Sequence, residues 1–176
     1  VFSPITCPAY ISSPGSTIGN LQPDEASRLL ASMATVAGEG GGLLIGIDLK
    51  KDARRLEAAY NDAEGVTAES NLNLLRRVNR ELGGDFQLDR FRHRAPYNAE
   101  RGRVEMLLVS TVEQQVHVGA DRFDFAQGEA ICTEYSHKYD LQDFGRLAAG
   151  AGWSLQTAWT DDESLFAVVY LVVGSA

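Results

Sequence analysis

An α/β fold carrying an inserted α+β unit is what this 176-residue chain predicts, and three observations carry the prediction. An amphipathic stretch, Pro23–Ala37, is followed after glycines by Leu43-Leu44-Ile45-Gly46-Ile47-Asp48-Leu49, an apolar run of strand length suited to a sheet buried on both faces. Near the other end, a helical stripe from Leu141 leads into two apolar runs, Trp153–Trp159 and Leu165–Val173, separated by Thr160-Asp161-Asp162-Glu163, the pattern of a β-hairpin. Between these flanks, two helical patterns give way at Arg103 to a period of two. Helix followed by buried strand is α/β alternation, and the middle reads as α+β.

The elements follow in order. Val1 to Pro14 holds three of the five prolines and is expected to be irregular or one poor edge strand. Gly15-Ser16-Thr17-Ile18-Gly19-Asn20 is a turn that exposes its backbone before a helix. Pro23 at the first helical turn, Asp24 and Glu25 at the positive end of the dipole, and apolar Leu29, Leu30, Met33, Val36 and Ala37 predict the helix, which Gly38 stops. Gly38, Gly40, Gly41 and Gly42 follow a helix and precede a strand, the reverse of a dinucleotide loop, so they read as a helix stop and turn. Asp52 caps a helix through Tyr60 with Leu56 and Ala59 inward, and Thr67 opens a longer one containing Leu72, Leu75, Val78 and Leu82, closed by Gly83-Gly84. From Arg103, the alternations Val104/Met106/Leu108, Val116/Val118 and Phe123/Phe125 predict a small antiparallel sheet. Asp140 then caps the helix carrying Phe144, Leu147, Ala148 and Ala151.

Composition narrows the function. Apolar residues make up 44% and the net charge is −8, with Arg76-Arg77 and Arg90, Arg92 and Arg94 only local, so a nucleic-acid partner is not expected. No apolar run reaches membrane-spanning length, and two distant cysteines, Cys7 and Cys132, suggest neither a disulfide scaffold nor a zinc ribbon. A cytoplasmic protein with a small ligand is the expectation.

Several constellations could carry chemistry. Asp52, Asp62 and Glu64 read as caps and surface rather than a carboxylate cluster. His93 between two arginines, and His117 among valines, have no partner at metal-ligand spacing. Cys132, Glu134 and His137 suggest a metal or a nucleophile, but on a strand the first two share a face with Ser136 while His137 points away. That leaves Glu134 and Ser136 about 6–7 Å apart at the Cα atoms. Spacing alone favours a polar outer strand face; the alternative is a carboxylate and a hydroxyl that pinch a planar ring with a nitrogen on each side, such as imidazole. Met106 is core filler or a pocket wall, and Tyr60 an exposed amphipathic residue or a phenol aimed at a carboxylate.

Beside these patterns stands a resemblance. Gly15-Ser-Thr-Ile-Gly-Asn20, Ala59-Tyr60-Asn61-Asp62, Gly65-Val66-Thr67-Ala68, Asn71-Leu72-Asn73-Leu74-Leu75-Arg76-Arg77 and Phe91-Arg92-His93-Arg94-Ala95 occur in order, followed by Arg103-Val104-Glu105-Met106, Thr133-Glu134, Ser136 and Lys138-Tyr139. In these stretches the chain resembles the S-adenosylmethionine-dependent histidine-specific methyltransferases, which trimethylate the α-amino group of histidine to histidine betaine in ergothioneine biosynthesis. The resemblance implies a partial Rossmann-type methyltransferase core, residues 1–50 and 139–176, with an inserted α+β substrate-binding lobe, residues 51–138. It also implies that Gly15 and Asn20 contact the amino and carboxylate end of histidine, that Tyr60 binds the carboxylate, that Met106 lines the pocket, and that Glu134 and Ser136 hold the imidazole. S-adenosylmethionine would be the methyl donor. The resemblance covers the family's C-terminal portion; the strand, glycine-rich loop and acidic residue that bind the donor belong to an N-terminal half not matched here. A separate N-terminal half, or self-association through apolar surface left exposed on Leu43–Leu49, is therefore expected. The alternative is a non-catalytic family member that binds an amino acid or packs against a partner chain.

Overall fold

The structure is a computed structural model that describes residues 8–174, so expectations for Val1 to Cys7 lie outside the described residues. Strand β1 (Tyr10–Ser13) pairs in parallel with β2 (Gly42–Asp48), Tyr10 opposite Gly42 and Ser13 opposite Ile45. Parallel neighbours need a crossover, and helix α1 (Pro23–Ala37) supplies it. Pro23 occupies the first turn, the Gln22 amide donates to the Glu25 carboxylate at 2.9 Å to close a capping box, and Gly38 ends the helix at φ 71°. Between β1 and α1, Thr17–Asn20 coils into a single 3₁₀ turn. Gly46 lets Pro14 pass, because a Cβ there would collide with the Pro14 carbonyl.

The chain divides into two compact units, residues 1–51 with 136–176, and residues 52–135. Lys51 and Ser136 to Lys138 thus group with the first unit.

The second unit opens with α2 (Ala53–Tyr60), where Asp52 accepts from the Arg54 and Arg55 amides. Leu56 is buried but Ala59 is exposed, so the inward face is narrower than the sequence suggested. Helix α3 (Val66–Leu82) begins at a left-handed Gly65, and the carboxylate of Asp62 accepts from the amides of Val66 and Thr67 at 2.7 and 3.0 Å. Its last apolar residue, Leu82, is 61% exposed. Strands β3 (Phe91–Arg94), β4 (Tyr97–Asn98) and β5 (Arg103–Ser110) form a sheet ordered β3-β5-β4. β6 (Gln114–Val118) and β7 (Asp121–Phe125) make a separate two-stranded ribbon, whereas β8 (Ala130–His137) returns to pair with β5. The period-two stretch is therefore two sheets, not one. Only one edge of the ribbon's apolar pattern is inward: Val116 and Phe125 pack with Leu75, Phe91 and Leu108, while Phe123 stays 47% exposed.

The first unit is completed by α4 (Leu141–Gly150), capped by Asp140, and by the hairpin β9 (Trp153–Thr160) and β10 (Phe166–Val173). β10 lies antiparallel to both β2 and β9, giving the order β1-β2-β10-β9. Leu30, Leu43, Ile45, Ile47, Phe144, Val169 and Leu171 form its core, and the Trp153 indole donates to the Leu30 carbonyl at 2.8 Å. Burying each such aliphatic side chain stabilises the unit by about 2 kcal/mol. On β2, Leu43, Ile45, Ile47 and Leu49 are buried, whereas Leu44, within the run expected to leave apolar surface exposed, is half-buried, as are Val168 and Tyr170 beside it on β10. β1 and β10 flank β2 on its two edges, which makes it an interior strand.

Candidate functional site

Both parallel strands of the first unit end at one cluster of polar residues. β1 runs out into Gly15–Asn20, and β2 ends at Asp48. The Asp48 amide donates to the Ser16 hydroxyl at 3.0 Å, which ties the turn to the strand end. A Cβ added at Gly19 would stand 2.9 Å from the His137 carbonyl, so the turn is packed directly on the backbone around Ser136. At Gly15 an added Cβ would meet nothing nearer than the Thr17 hydroxyl at 3.7 Å. Gly15 and Asn20 are both exposed and Ser136 is buried.

The Asp48 carboxylate extends this framework. One oxygen lies 2.5 Å from Lys51 Nζ and the other 2.6 Å from Lys138 Nζ, and Lys138 Nζ also donates to the Ser136 hydroxyl at 2.7 Å. The Lys138 side chain is 0% exposed against 21% for Asp48. Within this unit hydrogen bonds tie Ser16, in the turn from Gly15 to Asn20, to Asp48, and Asp48 through Lys138 to Ser136. Neither Asp48 nor Lys138 stood out as a site residue in the sequence; Lys138 was part of the resemblance without a role.

In the second unit, Tyr60 and Met106 pack on one small cluster, Leu56, Ala95 and Val104. Both are also fixed through their backbones. The Asn71 amide nitrogen is 3.0 Å from His93 Nδ1, and His93 Nε2 is 2.9 Å from the Tyr60 carbonyl. A carbonyl can only accept, so Nε2 donates to Tyr60, and the Asn71 amide faces Nδ1. The Thr133 hydroxyl lies 2.7 Å from Asn71 Oδ1 and 3.0 Å from the Met106 carbonyl. One network thus joins the carbonyls of Tyr60 and Met106 to the residue beside Glu134. Asn61 adds to it by exchanging two hydrogen bonds of 3.0 Å with the Ala95 backbone. Along the face of β8 that carries Cys132, Glu134 and Ser136, exposure falls in that order from exposed to half-buried to buried. Among the described residues no three His, Cys, Asp or Glu side chains cluster as metal ligands.

Electrostatics elsewhere are those of caps and burial. Hydrogen bonds to Thr67 and Val66 lower the Asp62 carboxyl to about 2. Hydrogen bonding to the Asp143 side chain and amide, then to Lys50, holds Asp140 well below the ordinary carboxylate range, and burial pushes the Tyr139 phenol up to about 12.

Such an arrangement, with a glycine turn and polar side chains at the carboxyl ends of parallel strands, defines an α/β protein, and in open α/β sheets this end of the strands is where ligand crevices form. More narrowly, the chain belongs to the S-adenosylmethionine-dependent histidine-specific methyltransferase family, whose family model matches residues 4–173. It is 45% identical over 154 residues to the histidine N-alpha-methyltransferase of Mycobacterium tuberculosis (strain CDC 1551 / Oshkosh), covering 86% of this chain and 48% of that protein. The protein of the same name from Mycolicibacterium smegmatis is 45% identical over 149 residues, 84% of this chain and 46% of its own length. Ergothioneine biosynthesis protein 1 of Neurospora crassa is 32% identical over 152 residues, 83% of this chain and 17% of its own length. The chain spans about half the length of the first two relatives. Among the described residues no helix is long and apolar enough to cross a membrane.

Proposed function

We propose that this chain provides the amino-acid-binding part of a histidine Nα-methyltransferase, which converts histidine to histidine betaine with S-adenosylmethionine as donor. The observation that carries the reading is the scaffold joining Gly15–Asn20 to Ser136 through Asp48, in a chain 45% identical to a histidine N-alpha-methyltransferase. Gly15 leaves space for the amino and carboxylate end of the substrate, and Asn20 offers it a donor and an acceptor. Tyr60 binds the carboxylate, Met106 lines the pocket, and Glu134 and Ser136 hold the ring. The donor supplies an electrophilic methyl group when bound. No residue of this chain is assigned to the donor: Gly38 and Gly40 serve a helix stop, and a Cβ at Gly41 would collide with Ala37. The work left to these residues is to orient a neutral amine and exclude water, which contributes through proximity rather than acid–base chemistry.

The test is to supply the chain, together with an N-terminal half of the family that binds the donor, with histidine and S-adenosylmethionine and follow mono-, di- and trimethylated histidine by mass spectrometry. Histidine betaine is the expected product. Histidine binding without any methylated product would overturn the enzymatic reading in favour of an amino-acid-binding family member, and absence of binding would overturn both. At the ring, Glu134→Ala is expected to weaken histidine binding by about 2 kcal/mol, roughly 30-fold in Kd, because a charged acceptor for a ring N–H is lost. Calorimetry giving an unchanged Kd would return Glu134 to the polar strand face.

A further inference from the structure

We propose that Arg92 and Arg94 form a binding site for a tetrahedral dianion, the phosphoryl group of a small phosphate ester or free phosphate. The methyl-transfer reading gives neither arginine a role, and the proposal does not depend on it.

Strand alternation puts both side chains on one face. Phe91 is buried and His93 turns to Asn71 and the Tyr60 carbonyl, so Arg92 and Arg94 stand on the opposite side of β3, where both are exposed. Their Cα atoms are about 6–7 Å apart. Across the ladder they lie opposite Val109 and Leu107, neither of which carries a charge. The two arginines line a groove of about 270 Å³ together with the end of β5 and the turn at Gln127-Gly128. All of these residues belong to the second unit.

Backbone hydrogen bonds hold the groove in shape. The Gly128 amide donates to the Ser110 carbonyl at 2.9 Å and the Ser110 amide to the Glu129 carbonyl at 2.8 Å, which ties the turn to the strand end. The Thr111 amide and hydroxyl both donate to the Arg90 carbonyl, at 2.8 and 3.0 Å, which ties that strand end to the entry of β3. Walls fixed in this way need little ordering when a ligand arrives. At the turn, a Cβ on Gly128 would meet nothing within 4 Å, so the space beside it is open.

Charge singles this place out. The chain carries 24 Asp and Glu against 16 Lys and Arg, and Arg28, Arg76, Arg77 and Arg122 each reach a carboxylate within 3.2 Å. Arg92 and Arg94 have no side-chain hydrogen bond or ion pair among the described residues, and no Asp or Glu lines their groove. The carboxylate of Glu129, beside the turn, accepts from the Ala126 amide at 2.9 Å.

Two guanidinium groups side by side repel each other, and an anion held between them offsets that repulsion. One guanidinium already satisfies both oxygens of a carboxylate in a bidentate pair. A phosphoryl dianion has three terminal oxygens and about twice the charge, so it occupies both forks, and the Gln127 carboxamide supplies a neutral N–H. A pair of arginines in a chain of net charge −8 is too little to follow a nucleic-acid backbone.

The test is calorimetry with phenyl phosphate on the natural protein that carries this chain, at about pH 8, where the monoester is a dianion. Ionic strength is held at about 0.15 M so that screening stays constant. Saturable binding is expected, and Arg92→Gln and Arg94→Gln should each weaken it about tenfold or more through loss of a charge-assisted pair. The double variant Arg92→Lys/Arg94→Lys keeps the charge without the forks and should lose about threefold or more. Arg101→Gln, equally exposed but outside the groove, should change nothing. Inorganic phosphate separates the two sources: affinity equal to that of phenyl phosphate assigns the site to free phosphate, and weaker affinity assigns it to an ester. Absence of saturable binding by either phosphate overturns the proposal, as does binding retained in Arg92→Gln/Arg94→Gln or acetate bound as tightly as phenyl phosphate. Both side chains are exposed, so thermal melts of the variants should match the wild type and the loss is read on folded protein.

Discussion

Two glycines four residues apart in the same turn do different jobs. Gly19 is required by the fold, because any side chain there would press on the His137 carbonyl at 2.9 Å. Gly15 is not: a methyl group would find only ordinary contact at 3.7 Å, so the protein itself has room for one. Gly19→Ala is therefore expected to destabilise the fold by about 1–3 kcal/mol, the usual cost of forcing atoms into a packed contact. Gly15→Ala should leave stability within about 0.5 kcal/mol of wild type and weaken histidine binding instead. Denaturant melts and calorimetry on the two variants give opposite patterns if Gly15 faces the substrate; a Gly15→Ala protein with unaltered affinity would remove it from the site. Sequence reading gave weight to the turn as a whole and could not tell its glycines apart. The reason Gly19 matters is a carbonyl at residue 137, which no local pattern reports. Asp48 and Lys138 escaped for the same cause: a lone carboxylate ending an apolar run and a lone lysine beyond a strand become meaningful only when the fold sets them 2.6 Å apart.

At the scale of elements, what the sequence made plain was whatever depends on neighbours along the chain. Pro23 and Gly38 bound α1, Asp52 and Asp140 cap their helices, and the apolar run of β2 becomes a strand with Leu43, Ile45 and Ile47 buried. The separation of β6 and β7 from the β5 sheet was not legible, since alternation specifies a face and not a partner strand. His93 is a similar case. The sequence gives it no metal partner at ligand spacing, and the partners it has in the structure, Asn71 and the Tyr60 carbonyl, come from two helices. Asn71→Leu should leave His93 Nδ1 and the Thr133 hydroxyl without their amide, at a cost of about 2 kcal/mol, and loosen the end of α2 at Tyr60. Amide exchange at Asn61 and Asp62 faster than in the wild type would show it; unchanged exchange would mean that packing on Leu56, not the network, holds that end. Asp62 adds an acid-sensitive element. Its carboxyl sits near 2 in the folded protein against an ordinary value of 3.8, so the stability it gives α3 is complete above about pH 4 and disappears as pH falls toward 2. In Asp62→Asn, the denaturation midpoint should fall less steeply across that window than in the wild type.

For the whole molecule the telling geometry is where the second unit leaves the first and returns. Leu49 and Tyr139 form a parallel bridge, the Lys50 amide donates to the Tyr139 carbonyl at 2.8 Å, and the Tyr139 amide donates to the Asp48 carbonyl at 2.9 Å. The outgoing and incoming chains are thus already hydrogen-bonded to each other inside the first unit. A short connection in place of residues 52–135 closes a loop whose ends are nearly in contact, and loop-closure entropy rises only slowly with length. The first unit also keeps its core of Leu30, Leu43, Ile45, Ile47, Phe144 and Leu171 without any residue from the second. A chain with residues 52–135 replaced by a flexible linker of about six residues should therefore melt cooperatively, as followed by circular dichroism. It should bind no measurable histidine, because Tyr60, Met106 and Glu134 leave with the deleted unit while Gly15, Asn20 and Ser136 stay. A cooperative melt with histidine affinity retained would place the whole substrate site in the first unit and strip those three residues of their proposed roles. A chain that loses cooperativity would mean that the core around Leu43 and Phe144 depends on the second unit after all.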